Sequence, residues 1–172
     1  MLLSSSLKCL ARLSVISTFI TAALGLASPA HAAKPARPYH GTCSTIVLPV
    51  TPPGTIPQEL LITYDCTLAH LGRTTATVQQ FVTPTGASPS GVTLSLVNTT
   101  TYTAANGDQL RVTFNGTALL DPATGEVAFV GIESFNGGTG RFVGATGSAQ
   151  LEGTASIVTN TGLFTTKGRI AY

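Results

Sequence analysis

Hydrophobic and polar residues alternate with a period of two over much of this 172-residue chain. Side chains of a strand point alternately to its two faces, so this pattern predicts strands with one dry and one wet face. The clearest runs cover residues 109–120 and 147–157. Their apolar phases are Leu110, Val112, Phe114, Gly116, Ala118 and Leu120, and Gly147, Ala149, Leu151, Gly153, Ala155 and Ile157.

Weaker alternation predicts further strands over 60–70, 73–82, 92–102 and 163–172. Residues 126–135 are apolar on both phases, so their orientation stays undecided. Turn signals separate the runs: Leu71-Gly72, Pro84-Thr85-Gly86, Asn106-Gly107, Asp121 to Gly125, Asn136-Gly137 and Asn160-Thr161-Gly162. Asn-Gly is a strong hairpin signal. With a short strand over 42–48, we predict an all-β antiparallel meander of about eight strands that closes into one small barrel over 42–172.

The stretch GGTGRFVGATGS, residues 137–148, resembles a phosphate-binding loop at first sight. It fails the dinucleotide fingerprint, because the third glycine position holds Val143 and a period-two strand follows instead of a helix. It fails the P-loop motif because no lysine follows Gly147. We interpret it as a corner in which glycines let a barrel strand bend.

At these residues the sequence resembles known proteins. GGTGRFVGATGSAQLEG is similar to a segment of dirigent proteins, which share an eight-stranded β-barrel with allene oxide cyclases. The chain from about Leu60 also resembles secreted bacterial proteins of unknown role, through His70-Leu71-Gly72, residues 105–110 and the GGTGRF stretch. The resemblance implies a dirigent-like or allene oxide cyclase-like barrel. It transfers no pocket residue, because none of the family's polar positions can be matched here.

The first 32 residues have the order of a secretory signal peptide: Lys8 and Arg12, an apolar run from Leu13 to Leu26, and Ala30-His31-Ala32. Cleavage is predicted between Ala32 and Ala33, which makes the protein secreted or periplasmic. The apolar run is shorter than the roughly 20 residues of a membrane-spanning helix. Residues 33–41, with two prolines, are predicted to be a disordered tail.

Loss of the leader removes two of the nine basic residues and leaves seven against seven acidic ones. A chain with no net charge and no basic run offers little attraction for nucleic acid or anionic lipid, so we expect neither as a partner. The sequence sets no oligomeric state and indicates no cofactor.

Two cysteines, Cys43 and Cys66, follow the leader. In an exported chain one disulfide is the simplest arrangement, and two free buried thiols are the alternative. A zinc site would need more ligands than His40, His70 and the two cysteines supply at this spacing, so no metal is expected.

Three residues are candidates for a ligand pocket: Tyr64, His70 and Glu133. Tyr64 and His70 share a phase with Leu60 and Ile62, and a histidine at the barrel mouth can move protons or can simply hold a turn. Glu133 lies in an apolar row, where a carboxylate must be paired or protonated. Arg141 or Arg111 is the expected partner; a pocket acid and plain exposure are the alternatives.

These features favour an exported barrel that binds one small apolar ligand, with or without a guided cyclisation. The small inward residues Gly116, Ala118, Gly153 and Ala155 can leave a cavity or can let the walls approach. Two alternatives stay open: a structural or surface protein with a Thr-rich outer face (Thr99, Thr101, Thr103, Thr113 and Thr117), and an outer-membrane barrel, whose aromatic girdles would be thin here. No catalytic residue or enzyme class is assigned.

Overall fold

The structure, a computed structural model, describes residues 34–172. Eight strands follow one another: β1 Arg37–Pro49, β2 Gln58–Leu68, β3 Gly72–Ser88, β4 Gly91–Thr103, β5 Gln109–Leu120, β6 Glu126–Gly138, β7 Thr146–Ser156 and β8 Thr161–Ala171. A single 3-10 turn, Gly140–Phe142, lies between β6 and β7. The predicted leader and its cleavage site between Ala32 and Ala33 lie outside the described residues.

Each strand pairs antiparallel with the next, and β1 pairs with β8, so the sheet is a closed barrel. Closure gives every strand a hydrogen-bonded neighbour on both sides. This confirms the predicted all-β barrel of eight antiparallel strands. The alternation decides which side chains enter the barrel: Leu110, Phe114 and Leu151 are at most 6% exposed.

The tail predicted over 33–41 is wrong from Arg37 onward, because β1 begins there. This part of β1 pairs with β8 alone, since pairing with β2 starts only at Gly41. Pro38 therefore has a neighbouring strand on one side, and a missing N–H is tolerated at such a position. Pro38 is therefore compatible with a strand in this segment.

The turn predicted at Pro84-Thr85-Gly86 is also wrong. β3 continues to Ser88, and the register with β4 shifts between Pro84 and Gly86. A bulge of this kind accepts both a proline and a glycine inside a strand. The hairpin turn lies a few residues later, between Ser88 and Gly91.

The cysteine pair confirms the disulfide prediction. Cys43 and Cys66 are directly opposite each other on β1 and β2, with Cα atoms 4.1 Å apart, and their sulfurs are bonded. Both are at most 2% exposed, so the bond lies inside the barrel. Disulfides of this kind persist in oxidising compartments.

The two ends of the barrel differ. We call the end with the β2–β3, β4–β5 and β6–β7 connections the closed end, because large side chains fill it. Tyr39, Tyr102, Leu110, Phe142 and Ile170 are at most 1% exposed there. The other end, with the β1–β2, β3–β4, β5–β6 and β7–β8 connections, is called the open end.

The glycine-rich stretch forms the β6–β7 corner of the closed end. Its 3-10 turn carries Phe142, which is fully buried and packs 5.0 Å from the ring of Tyr172. Gly140 has φ +54° and leaves no room for a Cβ, which would collide with the carboxylate of Asp108. This glycine therefore serves a close approach between the β4–β5 and β6–β7 connections.

Candidate functional site

A cavity of about 540 Å³ occupies the barrel between its middle and the open end. The cavity walls near the open end are aliphatic and aromatic and come from inward residues such as Leu60, Leu94, Val127 and Phe129. These four side chains are only partly buried, because no neighbour fills the space in front of them. A volume of this size suits one small organic molecule.

Apolar residues of two connections surround the mouth of the cavity. Ile56 in the β1–β2 connection and Ile157 in the β7–β8 connection line it and are 68% and 58% exposed. Val158, next to Ile157, is 73% exposed. A molecule that enters here meets apolar surface from the rim inward.

The small inward residues divide between the two predicted roles. Ala155 lines the cavity. Gly116, Ala118 and Gly153 do not. A Cβ at Gly116 would lie 2.5 Å from the ring of Phe114, and a Cβ at Gly153 would lie 2.7 Å from the ring of Phe129. Each of these glycines makes room for a neighbouring aromatic ring, so the space next to it is filled by that ring and does not add to the cavity.

We call the inner end of the cavity, near the middle of the barrel, the cavity floor. Polar side chains cover one side of it. Asn98 on β4 donates through Nδ2 to Oε1 of Gln80, at 2.9 Å, and to the hydroxyl of Tyr64, at 3.5 Å. Its Oδ1 accepts a 3.2 Å hydrogen bond from Thr100. Since the Tyr64 oxygen accepts from Asn98, the Tyr64 O–H stays available to a ligand.

Glu133 on β6 forms the other side of the floor and is 2% exposed. The hydroxyl of Tyr102 donates to its Oε1 at 3.4 Å, and that of Thr166 donates to its Oε2 at 2.5 Å. Burial raises the pKa of Glu133, and the two hydrogen bonds oppose the shift only in part. The carboxyl is therefore poised to hold a proton at a higher pH than an ordinary glutamate does.

The expected arginine partner of Glu133 is wrong. Arg141 lies at the closed end, 3.6 Å from Asp108, and donates to the carbonyl of His70 at 2.7 Å. Arg111 occupies the outward phase of β5 and is exposed. The sequence contains the right partners, Tyr102 and Thr166, but they come from strands that are distant along the chain.

Three buried tyrosines lie close to this carboxyl. Burial is the main cause that raises the pKa of Tyr39, Tyr64 and Tyr102, and the negative charge that Glu133 carries when ionised raises it further. All three phenols therefore keep their protons at neutral pH. The Tyr39 hydroxyl is buried without a hydrogen-bond partner, and its ring packs 4.7 Å from Phe135. The region around Glu133 is thus rich in neutral O–H donors.

The structure brings two of the three predicted pocket residues together and places the third elsewhere. Tyr64 and Glu133 line the cavity. His70 does not, because β2 ends at Leu68 and the alternation ends with it. His70 has φ +70° in the β2–β3 connection, and its Nε2–H donates to the Pro38 carbonyl at 2.8 Å. It holds a turn of the closed end.

Sequence reasoning missed the polar residues Gln80, Asn98, Thr100, Tyr102 and Thr166. A signal for three of them was present: Asn98, Thr100 and Tyr102 continue the apolar phase of Leu94 and Leu96. Polar residues on an inward phase indicate a polar patch inside a barrel.

Within residues 34–172, no three His, Cys, Asp or Glu side chains are grouped closely enough to hold a metal ion. The same part of the chain contains no helix long and apolar enough to span a membrane.

No protein-family model matches the sequence, and no curated protein matches it either. Solved structures do match the fold. The pterocarpan synthase dirigent protein PsPTS1 is 17% identical, with a TM-score of 0.50 over 82% of this chain and 97% of that one. The related GePTS1 is 16% identical, with a TM-score of 0.45 over 82% and 87%. The chain therefore has the closed eight-stranded antiparallel barrel of dirigent proteins. At this identity the likeness concerns the fold alone.

Proposed function

We propose that this protein is exported and binds one small, neutral molecule inside its barrel. The observation that carries the proposal is the cavity of about 540 Å³, with apolar walls and a hydrogen-bonding floor. The ligand has an apolar body that fills the part of the cavity near the open end, and a polar end that reaches Tyr64, Asn98 and Glu133. The Cys43–Cys66 disulfide supports an oxidising location outside the cytosol.

The chemistry of the floor favours a neutral polar end. No lysine, arginine or histidine is among the residues that line the cavity in the described part of the chain. An anionic head group would face the Glu133 carboxyl without a compensating charge, which is costly in a buried site. The O–H of Tyr64 and the protonated form of Glu133 suit a carbonyl, ether or hydroxyl oxygen.

A guided cyclisation is the narrower form of this proposal. The dirigent neighbour PsPTS1 is a pterocarpan synthase, so a barrel of this fold can have a synthase role. In the present chain Glu133, whose pKa is raised by burial, is the acid that lines the cavity within reach of an oxygen bound at the floor. Binding is the primary proposal, and it stands without this step.

Binding is tested with the neutral fluorophore N-phenyl-1-naphthylamine, whose emission rises in apolar surroundings. We expect saturable binding of one probe per barrel. Ala155→Phe places a ring in the cavity and is expected to weaken probe binding at least tenfold. Ala128→Phe adds the same ring to the outward phase of the neighbouring strand β6, where Ala128 pairs with Thr154, and is expected to bind like the wild type.

Equal probe binding by the two variants would place the probe on the surface and contradict a ligand-binding cavity. Native mass spectrometry of the purified protein supplies the independent check. A small molecule that stays bound to the wild type and is lost from the Ala155→Phe variant would identify the natural ligand by its mass.

A further inference from the structure

The charged side chains of the barrel are separated along its axis. Within residues 34–172, all seven basic side chains lie at the closed end or in the strand halves next to it: Lys34, Arg37, Arg73, Arg111, Arg141, Lys167 and Arg169. The charges at the open end are acidic: Glu59 at the start of β2, Asp121 in the β5–β6 connection and Glu126 at the start of β6. Residues 34–172 carry seven basic and seven acidic side chains and are thus strongly polarised, a feature that the net charge behind our expectation of no anionic-lipid partner does not show.

Ion pairs neutralise only part of the basic end. Arg73 pairs with Asp65 at 2.9 Å, and Arg141 lies 3.6 Å from Asp108. The other five basic side chains form no ion pair within the described part of the chain. Their positive charge therefore acts on the surroundings of the closed end.

Four of these five form one surface, which we call the basic patch: Lys34, Arg37, Lys167 and Arg169. They lie where the start of β1 meets the end of β8, with Pro38 opposite Arg169 and His40 opposite Lys167. On the far side of β8, the β7 residues directly opposite Arg169 and Lys167 are the uncharged Ser148 and Gln150. Glu152 is the next outward residue along β7 and forms no ion pair with Lys167 within residues 34–172.

Neutral groups hold three of the four side chains in place. Lys34 donates to the Val143 carbonyl at 3.1 Å, and Arg169 donates to the Ala36 carbonyl at 2.7 Å. Arg37 donates to the Tyr172 hydroxyl at 3.3 Å and lies 4.9 Å from the centre of its ring. These contacts fix the positions of the side chains without cancelling their charge.

We propose that the basic patch docks the barrel wall next to the closed end onto an anionic lipid surface, so that the closed end lies nearer the surface than the cavity mouth does. The patch is spread over the convex wall of the barrel, and Lys167 and Arg169 are about 7 Å apart along β8. Such charges do not converge on one small anion; they match a surface of distributed negative charge. Val143, 60% exposed beside Lys34, adds an apolar contact at the interface.

The acidic open end sets the orientation. An anionic surface repels Glu59, Asp121 and Glu126 while it attracts the basic patch, so one end of the barrel is selected. Each Lys or Arg near such a surface strengthens binding about fivefold, and a patch of four gives several hundredfold at low salt. This inference is independent of the proposed ligand.

The test is co-sedimentation of the segment Ala33–Tyr172, which forms a compact unit of its own, with lipid vesicles. We expect binding to vesicles of phosphatidylcholine with one third phosphatidylglycerol, none to phosphatidylcholine alone, and loss of binding in high salt. Lys167→Gln is expected to weaken binding about fivefold and Lys167→Gln/Arg169→Gln about 25-fold. Arg73→Gln, which removes an ion-paired charge at the same end, is expected to change it less than twofold.

Equal binding to neutral vesicles, or equal loss with Arg73→Gln and Lys167→Gln, would overturn the proposal. So would retention on a soluble polyanion such as heparin without binding to the anionic vesicles. Because all the substituted side chains are exposed, circular dichroism and thermal unfolding are expected to match the wild type, which separates a binding defect from misfolding.

Discussion

The closed and open ends of this barrel are built from the same alternating strands, yet only one end is filled. At the closed end the inward positions hold Tyr39, Leu110 and Ile170, and the β6–β7 connection adds Phe142 as a plug. At the open end the connections leave Ile56 and Ile157 exposed and the cavity unfilled. One end therefore supplies most of the packing energy, which leaves the other free to hold a ligand.

The largest expected effect comes from truncating one leucine at each end. Leu110→Ala removes a fully buried side chain from the closed end and is expected to cost about 4 kcal/mol of unfolding free energy. Leu94→Ala enlarges a cavity that already exists and is expected to cost about 1 kcal/mol, because fewer packing contacts are lost. Urea unfolding measures both values, and equal losses would show that the two ends do not differ in packing.

The disulfide provides a second test of how the barrel is stabilised beside its cavity, because it lies inside the barrel next to that cavity. Thr45 and Tyr64, two residues away from Cys43 and Cys66 on their strands, line the cavity. Replacing both cysteines with alanine removes a link across a sequence separation of 23 residues and is expected to cost about 3 kcal/mol.

A reductant supplies the control for this measurement. It is expected to lower the urea midpoint of the wild type and to leave the double alanine variant unchanged. A variant as stable as the wild type would mean that strand pairing between β1 and β2 holds this part of the barrel without the bond.

The sequence predicted the barrel because period-two alternation is a local property that reports directly which side chains enter a closed sheet. The sequence misplaced the start of β1 and the turn after β3 because of two prolines. Pro38 has a neighbouring strand on one side only, and Pro84 lies at a bulge. Local sequence signals reveal neither environment. The partners of Glu133 were out of reach for a different reason. Tyr102 and Thr166 meet it only through the register and curvature of the closed barrel.

The size of the cavity was likewise not predictable from residue size alone. Gly116 and Ala155 are both small and inward, yet Phe114 packs over the first and nothing packs over the second. Which small residue leaves a void depends on the rotamer of a neighbouring aromatic ring, a property of packing and not of pattern.

The smallest expected effect concerns the acid at the boundary between the two ends. Burial raises the pKa of Glu133 above the ordinary value of 4.5, so the folded state keeps this proton to a higher pH than the unfolded chain does. Folding is then opposed once the unfolded carboxyl ionises, and stability falls as the pH rises from about 4.5 through the raised pKa. Below that range the group is neutral in both states and has no effect.

Glu133→Gln keeps the shape of the side chain and removes its ionisation. Its stability relative to the wild type is expected to increase with pH across this range, measured as the difference between urea midpoints at each pH. Ionisable groups common to both proteins, including Asp65 and Asp108, cancel in that difference. Glu152→Gln, which removes an exposed carboxylate on the outward phase of β7, is the matched control and is expected to run parallel to the wild type. A parallel profile for Glu133→Gln as well would mean that the hydrogen bonds from Tyr102 and Thr166 fully offset burial, and that the cavity floor carries a charge at neutral pH.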